Sequence, residues 1–460
     1  MESGDWECTV NRRVFLNGVG VASASLLPEP PTFEAGAAAG NGVTSSPTER
    51  TTGLANLGRI EAATQGLAGQ SAREVARNED FWREVQQSFS VSRSVINLNN
   101  AGLCACPKIV TDAVLDLTME QEKLPPYTAF TTLPPRLEVV RVKLARQLGC
   151  DPEEVALVRN ATEALQTVLL GIELEPGDEI LTTTHDYWAM LDGLEQRRHR
   201  DGIVVKHAPV PAVPQSMDEL TAAIESGVTN RTRLILVSHQ VNLTGQIFPV
   251  REICEMAHAR GIDVVVDGAQ SFGQFDFKLE DLGCDYFGIS LHKWLMAPKG
   301  TWLLYVRRDR IAGTWPLLPP PSGFDDDVRK FEALGTIPAT SLAIGEAIAF
   351  HNGIGSERIE ERLRYLTRYW ADRVAQYPNV RFRTAFEPDM SCAIATVDIE
   401  GIQPSTLLDH LWDEHRIRVA NPTQRADNVR GVRVSPGLQT TLEELDTFCN
   451  VMEEIAQNGL

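Results

Sequence analysis

Between Gly261 and Val306 three short apolar runs follow one another, and the first two end by delivering polar residues. Ile262, Val264, Val265 and Val266 lead into Asp267-Gly268-Ala269-Gln270-Ser271. Tyr286-Phe287-Gly288-Ile289 leads into Ser290-Leu291-His292-Lys293-Trp294, and Thr301-Trp302-Leu303-Leu304-Tyr305-Val306 follows Pro298-Lys299-Gly300. Runs this short, mostly apolar and bounded by Gly, Pro and Asp, read as neighbouring buried strands. Helical stretches such as residues 250–260 lie between strand-like runs, which gives the β-α alternation of a largely parallel sheet with right-handed crossovers. The C-terminal edge of such a sheet is where a site is built. Here that edge carries Asp267 and Lys293.

Taken singly, these residues read as a helix-capping aspartate and a surface lysine. Together they suit pyridoxal-phosphate chemistry. The lysine amine forms a Schiff base with the cofactor aldehyde, and the carboxylate keeps the pyridine nitrogen protonated so that the ring can accept electrons. The sequence resembles the class V aminotransferase family of the fold-type-I PLP enzymes, most strongly at Asp267-Gly268-Ala269-Gln270 and Ser290-Leu291-His292-Lys293. The resemblance spans roughly residues 95–445. It implies an α/β fold, with a mostly parallel seven-stranded sheet in a large domain at 80–340 and a smaller α+β C-terminal domain at 341–460.

At 460 residues the chain can bury a sizeable core. Its net charge of −19 argues against nucleic acid or an anionic membrane as partner, and no apolar stretch reaches the ~18 residues of a membrane-spanning helix. The eight cysteines show no paired CxxC spacing, so no structural metal is expected; Cys254 and His258 read as one helix face. The first eighty residues differ in composition from the rest, and within residues 1–40 Asn11-Arg12-Arg13-Val14-Phe15-Leu16 resembles a twin-arginine export motif, followed by a mild apolar stretch and Ala37-Ala38-Ala39. Export would place the protein in the periplasm or outside the cell. Without it the protein would be cytoplasmic. Residues 41–79 read as a linker with a short helix.

Further site residues follow in chain order. Asn100, in Leu98-Asn99-Asn100-Ala101-Gly102, resembles a residue of the N-terminal segment that passes the cofactor, although an Asn-rich turn reads the same way. The prolines at 125–126 and 134–135 suggest a loop before a helix at 136–148. Residues 155–165 read as a strand turning into a helix, where free amides at Ala161 and the Thr162 hydroxyl suit the cofactor phosphate; a plain threonine cap has the same local pattern. The resemblance implies that His185 stacks on the pyridine ring and that Asn242 lies near the phenolic oxygen, with His239 a weaker second candidate. It also implies that Gln270, Ser290 and His292 contact the cofactor beside Lys293. Phe331-Glu332-Ala333-Leu334-Gly335-Thr336 resembles a segment that crosses a homodimer interface and brings Thr336 to the partner's phosphate. Arg433, in a late strand, matches the arginine that holds a substrate α-carboxylate.

These marks are specific for cofactor and fold, and less so for reaction. Cysteine desulfurases place a nucleophilic cysteine shortly before the carboxylate arginine, but no cysteine lies between Arg418 and Arg433. Leu98-Asn99-Asn100-Ala101 and Thr184-His185-Asp186-Tyr187 look most like the isopenicillin N epimerase-like branch. The expected activity is therefore aminotransferase or epimerase chemistry at the α-carbon of an amino acid or amino-acid-derived substrate. The alternatives are a C–S or C–N lyase, an exported siderophore- or peptide-tailoring enzyme, and a silent PLP-fold binding protein.

Overall fold

The structure, a computed structural model, describes residues 47–159, 161–319, 325–332, 338–387, 389–422 and 428–460. The expected export segment and Thr336 therefore lie outside the described residues. The central sheet has seven strands in the order β2-β8-β7-β6-β5-β3-β4. They are β2 (Val155–Val158), β3 (Glu179–Thr183), β4 (Val204–Ala208), β5 (Thr232–Ser238), β6 (Asp263–Asp267), β7 (Tyr286–Ser290) and β8 (Trp302–Val306). All pairings from β7 to β4 are parallel, and β8 runs antiparallel to both of its neighbours. Alternate residues enter different cores: Ile235, Val237, Val264 and Val266 join one cluster, and Leu234, Leu236 and Val265 join another. This is why these strands read as continuous apolar runs, since both faces are covered. The chain leaves β3 for β4 on one side and returns to β5 on the other, and that reversal opens a crevice at the strand C-termini.

Before the sheet come α1 (Pro47–Gln65), α2 (Glu79–Gln86), β1 (Ile96–Asn97), α3 (Lys108–Lys123) and α4 (Leu133–Leu148). The region expected as linker is thus helical from Pro47. A Cβ at Gly53 would come within 2.8 Å of the Ile109 backbone, so α1 meets α3 closely at a glycine, and its buried face mixes Gly53 and Asn56 with Leu57 and Ile60, which weakens the periodic signal. The expected loop at the proline pairs is also helical: Pro125 begins one short helix, and Pro134 and Pro135 sit in the first turn of α4, where a missing N–H costs nothing.

The sheet is followed by α5 to α8 in their places between strands: α5 (Ala161–Gly171), α6 (Trp188–Asp201), α7 (Met217–Gly227) and α8 (Val250–His258). Beyond β8 come α9 (Ile344–Ile354) and α10 (Ser356–Val374), and then a three-stranded antiparallel sheet ordered β12-β10-β9. Its strands are β9 (Val380–Phe382), β10 (Ala395–Ile399) and β12 (Val432–Val434), packed with α11 (Pro404–Asp413) and α12 (Leu442–Asn458) around Trp370, Val397, Val434 and Phe448. β1 pairs in parallel with β11 (Ile417–Arg418), which ties the N-terminal segment to this second core.

Candidate active site

The C-terminal ends of β5, β6 and β7 and the first turn of α5 open on one cavity of about 330 Å³. Asp267 is the last residue of β6, Lys293 lies just beyond β7, and Arg433 comes from β12; all three line it. One Asp267 oxygen accepts the Ala269 N–H at 2.9 Å. Burial pushes its pKa up to about 6, against the pull of that hydrogen bond and of Lys293, with Asp186 adding to the rise. Burial likewise lowers Lys293 to about 8, a shift opposed by Asp267 and reinforced by Arg433. The lysine is thus half neutral at about pH 8 and keeps a sizeable neutral fraction near physiological pH, as a nucleophile or proton carrier requires.

Arg433 is buried and held by neutral oxygens: Nη1 donates to the Asn242 carbonyl at 2.8 Å and Nη2 to Asn99 Oδ1 at 2.7 Å. Its Nε has no partner among the described residues, and burial lowers its pKa to about 10. Ser290 Oγ, Trp302 Nε1 and His292 Nδ1 are also buried without hydrogen-bond partners among the described residues and belong to residues lining the same cavity. Each such group costs about 1–3 kcal/mol if left unmet. Donors of this kind beside the N-terminus of an eleven-residue helix suit a phosphate, and an unmatched buried guanidinium suits a carboxylate. The donor set fits pyridoxal phosphate with an amino-acid substrate.

Most sequence-predicted residues meet here: Thr162, Asn242, Asp267, Gln270, Ser290 and His292 line the cavity with Lys293 and Arg433, and Ala161 heads α5. Gln270 has both ends of its amide committed, Nε2 to the Ala101 carbonyl at 2.9 Å and Oε1 to the Trp294 indole at 3.0 Å, so it braces the wall. His292 meets Trp302 edge-on at 4.2 Å, and burial lowers it to about 4. Three candidates are not brought in. Asn100 donates to the Ser435 carbonyl at 2.9 Å and accepts from Gln439 at 2.6 Å, so its amide pins the segment. The His185 ring lies 2.8 Å from Asn428 Oδ1, outside the cavity lining, and Tyr187 lines it instead. His239 is enclosed by Phe275, Phe277 and Phe287, and burial lowers it to about 3.

The reading from sequence missed Tyr187, Gln240, Trp302 and Asn99. Trp302 reaches the site because β8 runs antiparallel to β7 and pairs it with Ser290, a register that periodicity does not carry. The turn after β3 is fixed by Asp186. One of its oxygens accepts from Thr182, Thr183 N–H and the Thr183 hydroxyl, the other from Ser238 N–H and hydroxyl, all at 2.7–2.8 Å.

The family model described as aminotransferase class-V matches residues 98–448. An isopenicillin N epimerase from Amycolatopsis lactamdurans is 32% identical over 397 residues, 82% of this chain and 99% of that protein. One from Streptomyces clavuligerus is 30% identical over 392 residues, 81% and 98%. The apo structure of a cysteine desulfurase from Thermococcus onnurineus NA1 superposes with a TM-score of 0.72 at 23% identity, over 82% of this chain and 98% of that one, a likeness of fold. With the site's donor set fitting the cofactor, the chain belongs to the class-V aminotransferase family and uses pyridoxal 5'-phosphate.

Proposed function

We propose that this enzyme moves a proton at the α-carbon of an amino acid or amino-acid-derived substrate, as an epimerase or aminotransferase. The observation that carries the reading is the meeting of Lys293, Asp267 and Arg433 in one cavity, each with its charge only partly answered by the protein. When bound, the cofactor supplies an aldehyde for the substrate amine and an electron-accepting ring that acidifies the Cα–H bond. Thr162, the first amides of α5 and Ser290 would hold its phosphate, and Asp267 would hold the proton on its ring nitrogen. Arg433 grips the substrate carboxylate. Lys293 Nζ takes the α-proton and returns it, a role suited to an amine of pKa about 8. Tyr187 and Trp302 narrow the cavity against water.

The names of the two epimerase relatives favour epimerisation. Desulfuration lacks a nucleophile: residues 419–432 contain no cysteine, and Cys104, which interacts electrostatically with Lys293, is buried with its thiol pushed up to about 12. The test is incubation of the holoenzyme in deuterium oxide with amino acids and aminoacyl peptides, followed by chiral chromatography and mass spectrometry. Deuterium at Cα with inverted configuration identifies an epimerase, and transfer of the amine to the cofactor with release of one equivalent of the 2-oxo acid per site identifies an aminotransferase. No exchange above the Lys293→Ala baseline would contradict the reading.

We also infer that the enzyme works as a homodimer. Leu115, Met119, Leu124, Tyr127, Phe130 and Val139 are exposed on α3, α4 and the turn between them, with Phe130 72% exposed. An apolar face of this kind suits burial against a second copy.

A further inference from the structure

Among the described residues Arg433 is the one guanidinium lining the cavity, and what aims it is a neutral side chain. Asn99 sits in a turn fixed at both ends: its N–H donates to Asn97 Oδ1 at 3.2 Å, and its carbonyl accepts from the Gly102 N–H at 3.1 Å. It also bridges in parallel to Ser435, two residues beyond Arg433. A Cβ at Gly102 would come 3.2 Å from Asn99 Nδ2, so a glycine there leaves the amide its room. Two fork nitrogens are thereby tied, one to Asn99 and one to the Asn242 carbonyl, while Nε has no partner among the described residues.

We propose that Asn99 is a positioning residue that aims the Arg433 fork while leaving its charge unneutralised, so that the cavity prefers amines that carry a carboxylate. This rests on the reading of Arg433 as the carboxylate grip. The amide oxygen accepts one N–H and adds no charge. An aspartate has the same shape but would form an internal ion pair at that distance, which the substrate carboxylate would then have to displace. Arg433 also helps to hold the Lys293 amine low, so neutralising it has a second consequence that can be measured.

The test is spectral titration of the holoenzyme with glycine and with methylamine, its counterpart without a carboxylate. The wild type should prefer glycine by about 30-fold or more, as a charge-assisted two-point contact allows. Asn99→Asp should bring that preference to within about 3-fold of unity and, in the cofactor-free protein where the Lys293 amine is free, move its titration upward; Asn99→Ala should lose about 5- to 10-fold and leave that titration in place. Cofactor content should stay at the wild-type level in both. A wild-type preference in Asn99→Asp, with Arg433→Lys impaired, would overturn the role of Asn99 and leave the reading of Arg433 standing. Equal losses in the Asp and Ala variants, with no movement of the amine titration, would overturn the charge argument. An unaltered preference in Arg433→Lys would overturn the reading of Arg433 itself.

Discussion

Lys293 and Asp267 sit in the same cavity, and burial pushes both toward their neutral forms. For Lys293 the sign is direct: only the neutral amine attacks an aldehyde, and its fraction grows as pH rises through about 8. Covalent attachment of pyridoxal phosphate to the cofactor-free protein, followed by stopped-flow absorbance, should therefore accelerate with pH with a midpoint near 8. A midpoint near 10.5, the ordinary lysine value, would contradict the desolvation argument. Asp267 titrates near 6 instead of 3.8, so in the cofactor-free protein its ionisation costs stability as pH rises from about 4 to 6, and the cost stays level above that. Asp267→Asn should relieve up to ~3 kcal/mol of this at pH 7 and little at pH 4, read from denaturant midpoints of the two apoproteins. In the holoenzyme the same substitution should cut α-proton exchange by orders of magnitude while cofactor content falls less. At Arg433, replacement by lysine keeps the charge and loses the planar fork, costing about 2–4 kcal/mol of transition-state binding, or roughly 30- to 1000-fold in kcat/KM. Unchanged kcat/KM would mean that the substrate is gripped elsewhere.

At the scale of elements, the site depends on how the strand ends are joined. Asp186 ties β3 to β5 by accepting from Thr182, Thr183 and Ser238, so Asp186→Asn would turn a donor toward groups that are themselves donors. A loss of about 2–4 kcal/mol in unfolding free energy is expected, with weaker cofactor retention. An unchanged denaturation midpoint would contradict the tie. Gly268 allows the Phe287 ring to lie on the chain leaving β6, because a Cβ there would come 1.8 Å from the ring. What the sequence made legible follows the same division. Strand ends that close apolar runs were readable, since Asp267, Ser290, His292 and Lys293 each follow directly from a run of buried residues. The helix α1 was not, because its packing face mixes Gly53 and Asn56 with Leu57 and Ile60, which dilutes the apolar period. The β3 turn was only half readable: the polar stretch showed where the chain turns, but Tyr187, not His185, is among the residues lining the cavity. Asn99 and Asn100 are neighbours of identical type, and only their partners separate them, Arg433 for one and Ser435 and Gln439 for the other.

For the whole molecule, the exposed apolar face on α3 and α4 predicts association. Light scattering of the holoenzyme should give twice the mass of the 50.8 kDa chain, and Phe130→Asp with Leu124→Asp should shift it toward monomer. A wild-type monomer at micromolar concentration would remove the dimer from the account. The central claim is that the sheet edge, α5 and the second core converge to make Lys293 the residue that carries the cofactor and the α-proton. The most direct measurement is borohydride reduction of the holoenzyme, followed by proteolysis and mass mapping of the pyridoxyl label. One label per chain is expected, on the peptide containing Lys293, and none in Lys293→Ala. A label on Lys299 or any other lysine, or none in a wild-type protein saturated with pyridoxal phosphate, would contradict it.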